Sequence, residues 1–310
     1  MIAIQARYVA AAFAAAILLF PSALAAQAFT SPQGVGSFTF AWQYVDNTGH
    51  RLTDGKFRPG GQSITASALA EFDYGVTDRF SATFAIPYVF AKYTGANPPF
   101  SGLALDSCHC WHSALQDISI GARYRLGGDR WAVTPSVMYE RPSHDYPYAG
   151  EAVVGRNLQE FQAGVATALK LDEWVPRASV DAGYTYAFVE RPLADVRIDR
   201  SNAYMGLGYA PTRGLFFHGG ARWQRTNGGL RIGSPTGVPF FPPGEISTPE
   251  RYAQRDRLLR TNYWHLDGVV SYAVGPTDLF LSITKYLSGT DTHNGAAYTF
   301  GSTWYFDLTR

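Results

Sequence analysis

From Ala114 to Glu140 apolar and polar positions alternate in steps of two. Ile118, Ile120, Ala122, Tyr124 and Leu126 fall on one side, and Asp117, Ser119, Gly121, Arg123 and Arg125 on the other. After Gly127-Gly128-Asp129 the alternation resumes, with Trp131, Val133, Val137 and Tyr139 opposed to Ala132, Thr134, Ser136 and Glu140. Side chains of a strand point to alternate faces, so this stretch predicts a hairpin with a tight Gly-Gly-Asp turn. Its polar face carries Asp, Arg and Glu among small residues, and its aromatics gather at strand ends. That division suits a strand pair with lipid on one side and a wet lumen on the other.

The rest of the chain repeats the pattern. Strands are predicted at Ser37–Val45, Ser63–Tyr74, Arg79–Tyr93, the two arms of the hairpin, Leu158–Lys170, Arg177–Glu190, Val196–Ala210, Leu215–Thr226, Leu259–Val274, Leu279–Gly289 and Ala296–Leu308. Lys285 shares the phase of Leu281 and Ile283, which predicts a bulge in its strand. Connections alternate in length. Val76–Asp78, Gly127–Asp129, Leu171–Pro176, Pro211–Gly214 and Gly275–Asp278 are short. Longer loops are expected at Asp46–Gly61, before Trp111, at Arg141–Gly155 and at Asn227–Asp256, with brief connections at Arg191–Ala194 and His293–Gly295. About 12 strands, short turns on one side and loops on the other read as an all-β, antiparallel, up-and-down transmembrane barrel with both termini periplasmic. Little of the mature chain precedes the first strand, so only loops are expected to fill the lumen.

Composition sharpens this reading. Arg7 precedes the apolar run Tyr8–Phe20, and Ala-x-Ala sites follow. Residues 1–25 are therefore expected to be a cleavable secretory signal, with cleavage as late as 28, ahead of one barrel domain at 29–310. The apolar run is about 13 residues, whereas a spanning helix needs roughly 20. Aromatics make up 15% of the chain and charged residues only 16%, against about 25% charged in average globular proteins. A net charge of +1 argues against a nucleic-acid partner. The mean hydropathy of −0.12 is that of a barrel, in which only alternate strand residues meet lipid. The expected setting is the outer membrane, the expected partners are its lipid and small-molecule solutes, and no cofactor is expected.

With strands placed, EFDYGVTDRFSATFAIPYVFAKYTG, HSALQDISIGARYRL, PSHDY and RNLQEFQAGV resemble the outer-membrane proteins grouped with the meta-pathway phenol-degradation family. The similarity runs over nearly all the mature chain and rests on strand-and-turn motifs. It implies a transporter-like barrel and the uptake of small, poorly water-soluble compounds. The run Cys108-His109-Cys110-Trp111-His112 departs from that pattern.

The predicted inward charges are Glu71, Asp73, Asp117, Arg123, Arg125, Glu140, Asp181, Arg222, His265 and Asp267. Such a set either lines a pore and biases its selectivity or pairs across a filled barrel. Val238, Phe240 and Phe241 make the longest loop apolar, as a gate over the mouth would be, although an ordinary Pro-rich external loop has the same composition. Cys108, His109, Cys110 and His112 are candidate ligands for zinc or copper; an oxidised Cys108–Cys110 pair and two surface thiols are the alternatives. Ser143-His144-Asp145 is the candidate of an outer-membrane hydrolase, but consecutive side chains diverge where a triad must converge. No catalytic residue is assigned. The expected function is passive passage or uptake of small solutes, aromatic or hydrophobic. A closed barrel that binds partners through its loops is the alternative.

Overall fold

The structure is a computed structural model that describes residues 28–95, 108–233 and 244–309. The expected signal sequence, residues 1–25, and the apolar loop residues Val238, Phe240 and Phe241 lie outside the described residues. The strands are β1 (Val35–Arg51), β2 (Phe57–Gly75), β3 (Phe80–Thr94), β4 (His112–Leu115), β5 (Asp117–Tyr124), β6 (Leu126–Gly127), β7 (Trp131–Pro142), β8 (Glu160–Lys170), β9 (Ala178–Val189), β10 (Ile198–Tyr209), β11 (Leu215–Gly228), β12 (Asn262–Val274), β13 (Thr277–Thr290) and β14 (Thr292–Asp307). β4 and β5 both pair with β3, while β5 and β6 both pair with β7. These three pieces form one interrupted strand, so the fourteen segments make twelve staves. Each stave is antiparallel to its neighbours, and β1 pairs with β14 from Val35↔Asp307 to Arg51↔Thr292. The barrel is closed. Among the described residues the α-helix is α1 (Pro249–Gln254), and no helix is long and apolar enough to cross a membrane.

Alternation is the reason these residues form these strands. Phe38, Phe40, Phe84, Ile120, Val137, Met205, Leu207, Leu281 and Phe300 are exposed on the outside. Their strand neighbours Thr39, Thr83, Ser136, Tyr204 and Gly206 face the interior. An apolar outer surface of this extent is costly in water and is what a barrel presents to lipid. Rings stack across staves on this surface, as in Phe38–Trp304 and Phe72–Phe306, each with centroids 5.7 Å apart.

Two local expectations are corrected, and the bulge expected in the Lys285 strand is present. Asp46–Gly61 is largely strand, and Leu52 N–H donates to the Lys56 carbonyl at 2.9 Å to close a tight turn. A shift at Asn47–Gly49 lets β1 continue past the Asn and Gly residues that read as a loop. His293–Gly295 is also strand, paired with the end of β1. The irregularity in β13 falls after Lys285: the register passes from Trp264↔Ser288 to His265↔Tyr286 and leaves Leu287 extra. Lys285 therefore stays on the outward phase of Leu281 and Ile283, where a long aliphatic stem suits an interface.

The hairpin that the alternation first revealed turns at Gly127, with φ +106°, and Gly128 N–H donates to the Trp131 carbonyl at 3.1 Å. A Cβ on Gly127 would lie 2.4 Å from the Trp131 carbonyl oxygen. Gly127→Val is expected to destabilise the barrel by ~1–3 kcal/mol, read as a lower urea midpoint of the refolded protein. An unchanged midpoint would show that the turn re-forms in another geometry.

Candidate functional site

The interior is built from three polar layers. Nearest the short turns, Arg123 donates to Asp73 at 2.5 Å, and Asp73 also accepts from Thr83 and Ser31, each at 2.9 Å. Glu71 is close enough to feel both charges. Arg125 donates to the Asp78 carbonyl at 3.0 Å. A cavity of about 660 Å³ opens here, lined by Phe29, Glu71, Asp73, Arg123, Tyr204 and Tyr305 among others.

In the middle layer Asp181 and His218 meet at 2.9 Å across β10. Gly206 lies between them, and a Cβ there would be 2.3 Å from the His218 ring. The missing side chain is what lets the pair form. Arg222 donates to Asp267 at 2.7 Å, and Thr284 does so at the same distance. His265 stacks on Tyr263 with ring centroids 3.9 Å apart.

The third layer lies toward the long loops. Arg200 donates to buried Glu160, and Glu140 and Asp117 are electrostatic neighbours of Arg200. The connection 143–159 folds into this layer. Its Tyr146 is buried, donates to Asp117, and packs with Val154 against Val89 and Ala91 of the inner wall. Burial and the Asp117 carboxylate push the Tyr146 phenol far above its ordinary range, so it stays a donor. Arg156, half-buried, is lowered to about 9 by desolvation and by the nearby Arg200 charge and donates to Thr261 at 2.9 Å. Arg257, from the β11–β12 connection, donates to the Asn157 carbonyl and sits 4.3 Å over the Tyr148 ring. The two long connections are thereby locked together. Leu158, Val196, Ile198, Leu230 and Leu258 add a dry cluster under them.

The opposite end is crossed by the segment 28–33. Ala28 is buried against Ala132, Ala166 and Ala168 of β7 and β8, and its carbonyl accepts from Thr134 at 2.5 Å. Lys170 lies 5.2 Å over the Phe29 ring. Thr30 donates to the Asp78 carbonyl, Ser31 to Asp73, and Gln33 N–H to the Asp78 carboxylate. Because β1 and β8 lie on different sides of the barrel, this strap spans the lumen. The expectation that loops alone would fill the interior is therefore corrected: six residues ahead of β1 do so as well.

All ten sequence-predicted charges thus have a place among the layers. Glu160 and Arg200 are absent from the predicted inward set, although they share the phases of Gln162 and Tyr204, a signal that could have found them. Tyr146, Arg156 and Arg257 carry no periodic signal because they sit on loops. In the cysteine run, the structure bonds Cys108 to Cys110, leaving no thiolate for a metal while oxidised. His112 is close to both sulfurs, and His109 contacts the Tyr93 carbonyl at 3.2 Å. Ser143 touches His144 at 2.8 Å, but Asp145 accepts from Asn157 at 2.6 Å, and Ser143 also donates to the Leu115 carbonyl. These contacts hold a loop and do not form a relay.

No family model and no curated protein sequence matches the chain. Among solved structures, the COG4313 outer membrane channel from Pseudomonas putida F1 superposes with a TM-score of 0.69 at 13% identity, covering 93% of this chain and 99% of that one. The translocator domain of the autotransporter NalP from Neisseria meningitidis gives a TM-score of 0.50 at 8% identity, covering 89% and 90%. The likeness is one of fold.

Proposed function

We propose that this protein is an outer-membrane channel, both termini periplasmic, through which small aromatic or hydrophobic solutes pass. The observation that carries the reading is the cavity between strap and loops, where Phe29, Tyr204 and Tyr305 share the lining with Glu71, Asp73 and Arg123. Aromatic faces offer a flat solute apolar contact, while the charges keep the path wet. The Pseudomonas putida barrel, named as an outer membrane channel, supports this, as does the resemblance of the strand motifs to transporter-like proteins. The locked loops and the strap favour a second reading, a closed barrel that works through its surface loops.

Single-channel current of the refolded mature protein in a planar bilayer separates the two. Arg123→Glu places a third carboxylate beside Glu71 and Asp73, and is expected to move the reversal potential in a salt gradient toward cation selectivity. Entry of a radiolabelled phenol-class aromatic into vesicles should exceed that of empty vesicles. A silent bilayer and no added entry, with folding verified by heat-modifiable gel mobility, would overturn the channel reading in favour of the closed barrel.

A further inference from the structure

At the long-loop end, away from the cavity, three metal-ligating side chains converge from separate parts of the chain. His50, near the end of β1, and His293, near the start of β14, are cross-strand partners with ring centroids 4.6 Å apart. Glu151 arrives from the 143–159 connection, which begins and ends on the β7–β8 side. Its Oε1 is 3.5 Å from His50 Nε2, and its Oε2 is 3.7 Å from His293 Nε2. One ligand atom from each residue lies within 4.8 Å of the others. We propose that His50, Glu151 and His293 bind a divalent transition-metal ion, zinc being the best fit, which staples the 143–159 connection to the seam where the first and last strands close the barrel.

The two His–Glu separations are those of loose ion pairs and leave room for an ion between the groups. N–H···O bonds run about 2.7–3.2 Å, shorter than either separation. Ligands held about 2.0–2.1 Å from a tetrahedral zinc stand roughly 3.3 Å apart, close to the two His–Glu separations of 3.5 and 3.7 Å. Two imidazoles and a carboxylate with a fourth position left for water is a donor set that zinc takes. The site is also positioned in advance. The Glu151 carbonyl accepts from Ser63 at 2.9 Å, Gly150 N–H donates to Asp256 at 2.9 Å, and Ala152 is fully buried. Glu151 therefore cannot swing away as a surface carboxylate would. His50 is nearly enclosed at 8% side-chain exposure while His293 keeps 41%, which leaves an entry path for the ion on one side.

This inference does not depend on whether solutes pass through the barrel. Its test uses the untagged, refolded mature protein, titrated with zinc by competition against a chromophoric chelator and desalted for metal analysis. One retained zinc per chain is expected. His50→Ala, His293→Ala and Glu151→Gln should each weaken binding by about tenfold or more, since loss of even an outer partner of a ligand typically brings that much. A Cys108→Ser/Cys110→Ser/His112→Ala variant should keep the zinc. Cobalt(II) in place of zinc should give tetrahedral d–d bands that vanish in His293→Ala, whose exposed position leaves folding intact by gel mobility. No retained zinc, or zinc lost only in the cysteine variant, would overturn the assignment.

Discussion

A mature chain that begins at Gly34 should conduct severalfold more current than one that retains Ala28–Gln33. The strap crosses the lumen at the short-turn end, and the strand pairing of the wall does not include it: β1 pairs with β2 from Gly36 and with β14 from Val35. Its own anchors are modest, namely a few hydrogen bonds to Thr134, Asp78 and Asp73 and a small alanine cluster. A subtler variant reaches the same end without a deletion. Gly75 lies under the strap, and a Cβ there would be 2.0 Å from the Pro32 carbonyl oxygen, so Gly75→Val should displace the strap and raise the current in the same direction. The measurement is single-channel conductance in planar bilayers for both variants. Currents equal to the parent protein would mean that the constriction lies elsewhere, at the locked loops.

The largest loss of stability is expected from Arg200→Met. Glu160 is only 4% exposed, and the Arg200 guanidinium is the charge set against it. Removing one partner of a buried pair leaves an uncompensated charge and typically costs 3–5 kcal/mol. Arg156 moderates the effect, because it lies near Arg200 and like charges repel; relief of that repulsion places the expected cost near the lower end, ~3 kcal/mol. Exchanging both partners, Arg200→Met with Glu160→Leu, should recover most of the loss, since apolar replacement of a buried pair is often neutral. Urea unfolding in lipid vesicles reads both. A single variant as stable as the parent would show that water reaches Glu160 and that the pair is not desolvated.

These expectations show which parts of the molecule the residues declared in advance. The staves were legible because period-two patterning is local: Ile118, Ile120 and Ala122 oppose Asp117, Ser119 and Arg123 whatever the rest of the chain does. Inward and outward phase followed from the same rule, although the predicted inward set omitted Glu160 and Arg200. The stretch Asp46–Gly61 was misread because Asp, Asn, Gly and Pro favour turns when considered alone, while here paired neighbours carry the strands through them. The strap was invisible for a different reason. Ala28 meets Thr134, 106 positions away, and nothing in Ala-Phe-Thr-Ser-Pro-Gln announces a partner at that distance. The same holds for His50, Glu151 and His293, which only the closed barrel and its infolded loop bring together.

The seam between β1 and β14 has one more consequence. Leu308 N–H donates to the Gly34 carbonyl at 2.9 Å, so the ends of the barrel chain are neighbours. Wall ends this close suit a circular permutation: because Ala28 sits across the lumen against β7 and β8, the linker from the C-terminus must itself cross the lumen, and new ends open at the exposed Pro211–Gly214 turn. In such a protein the strap is tethered at both sides, so its freedom to leave the lumen becomes a matter of linker length.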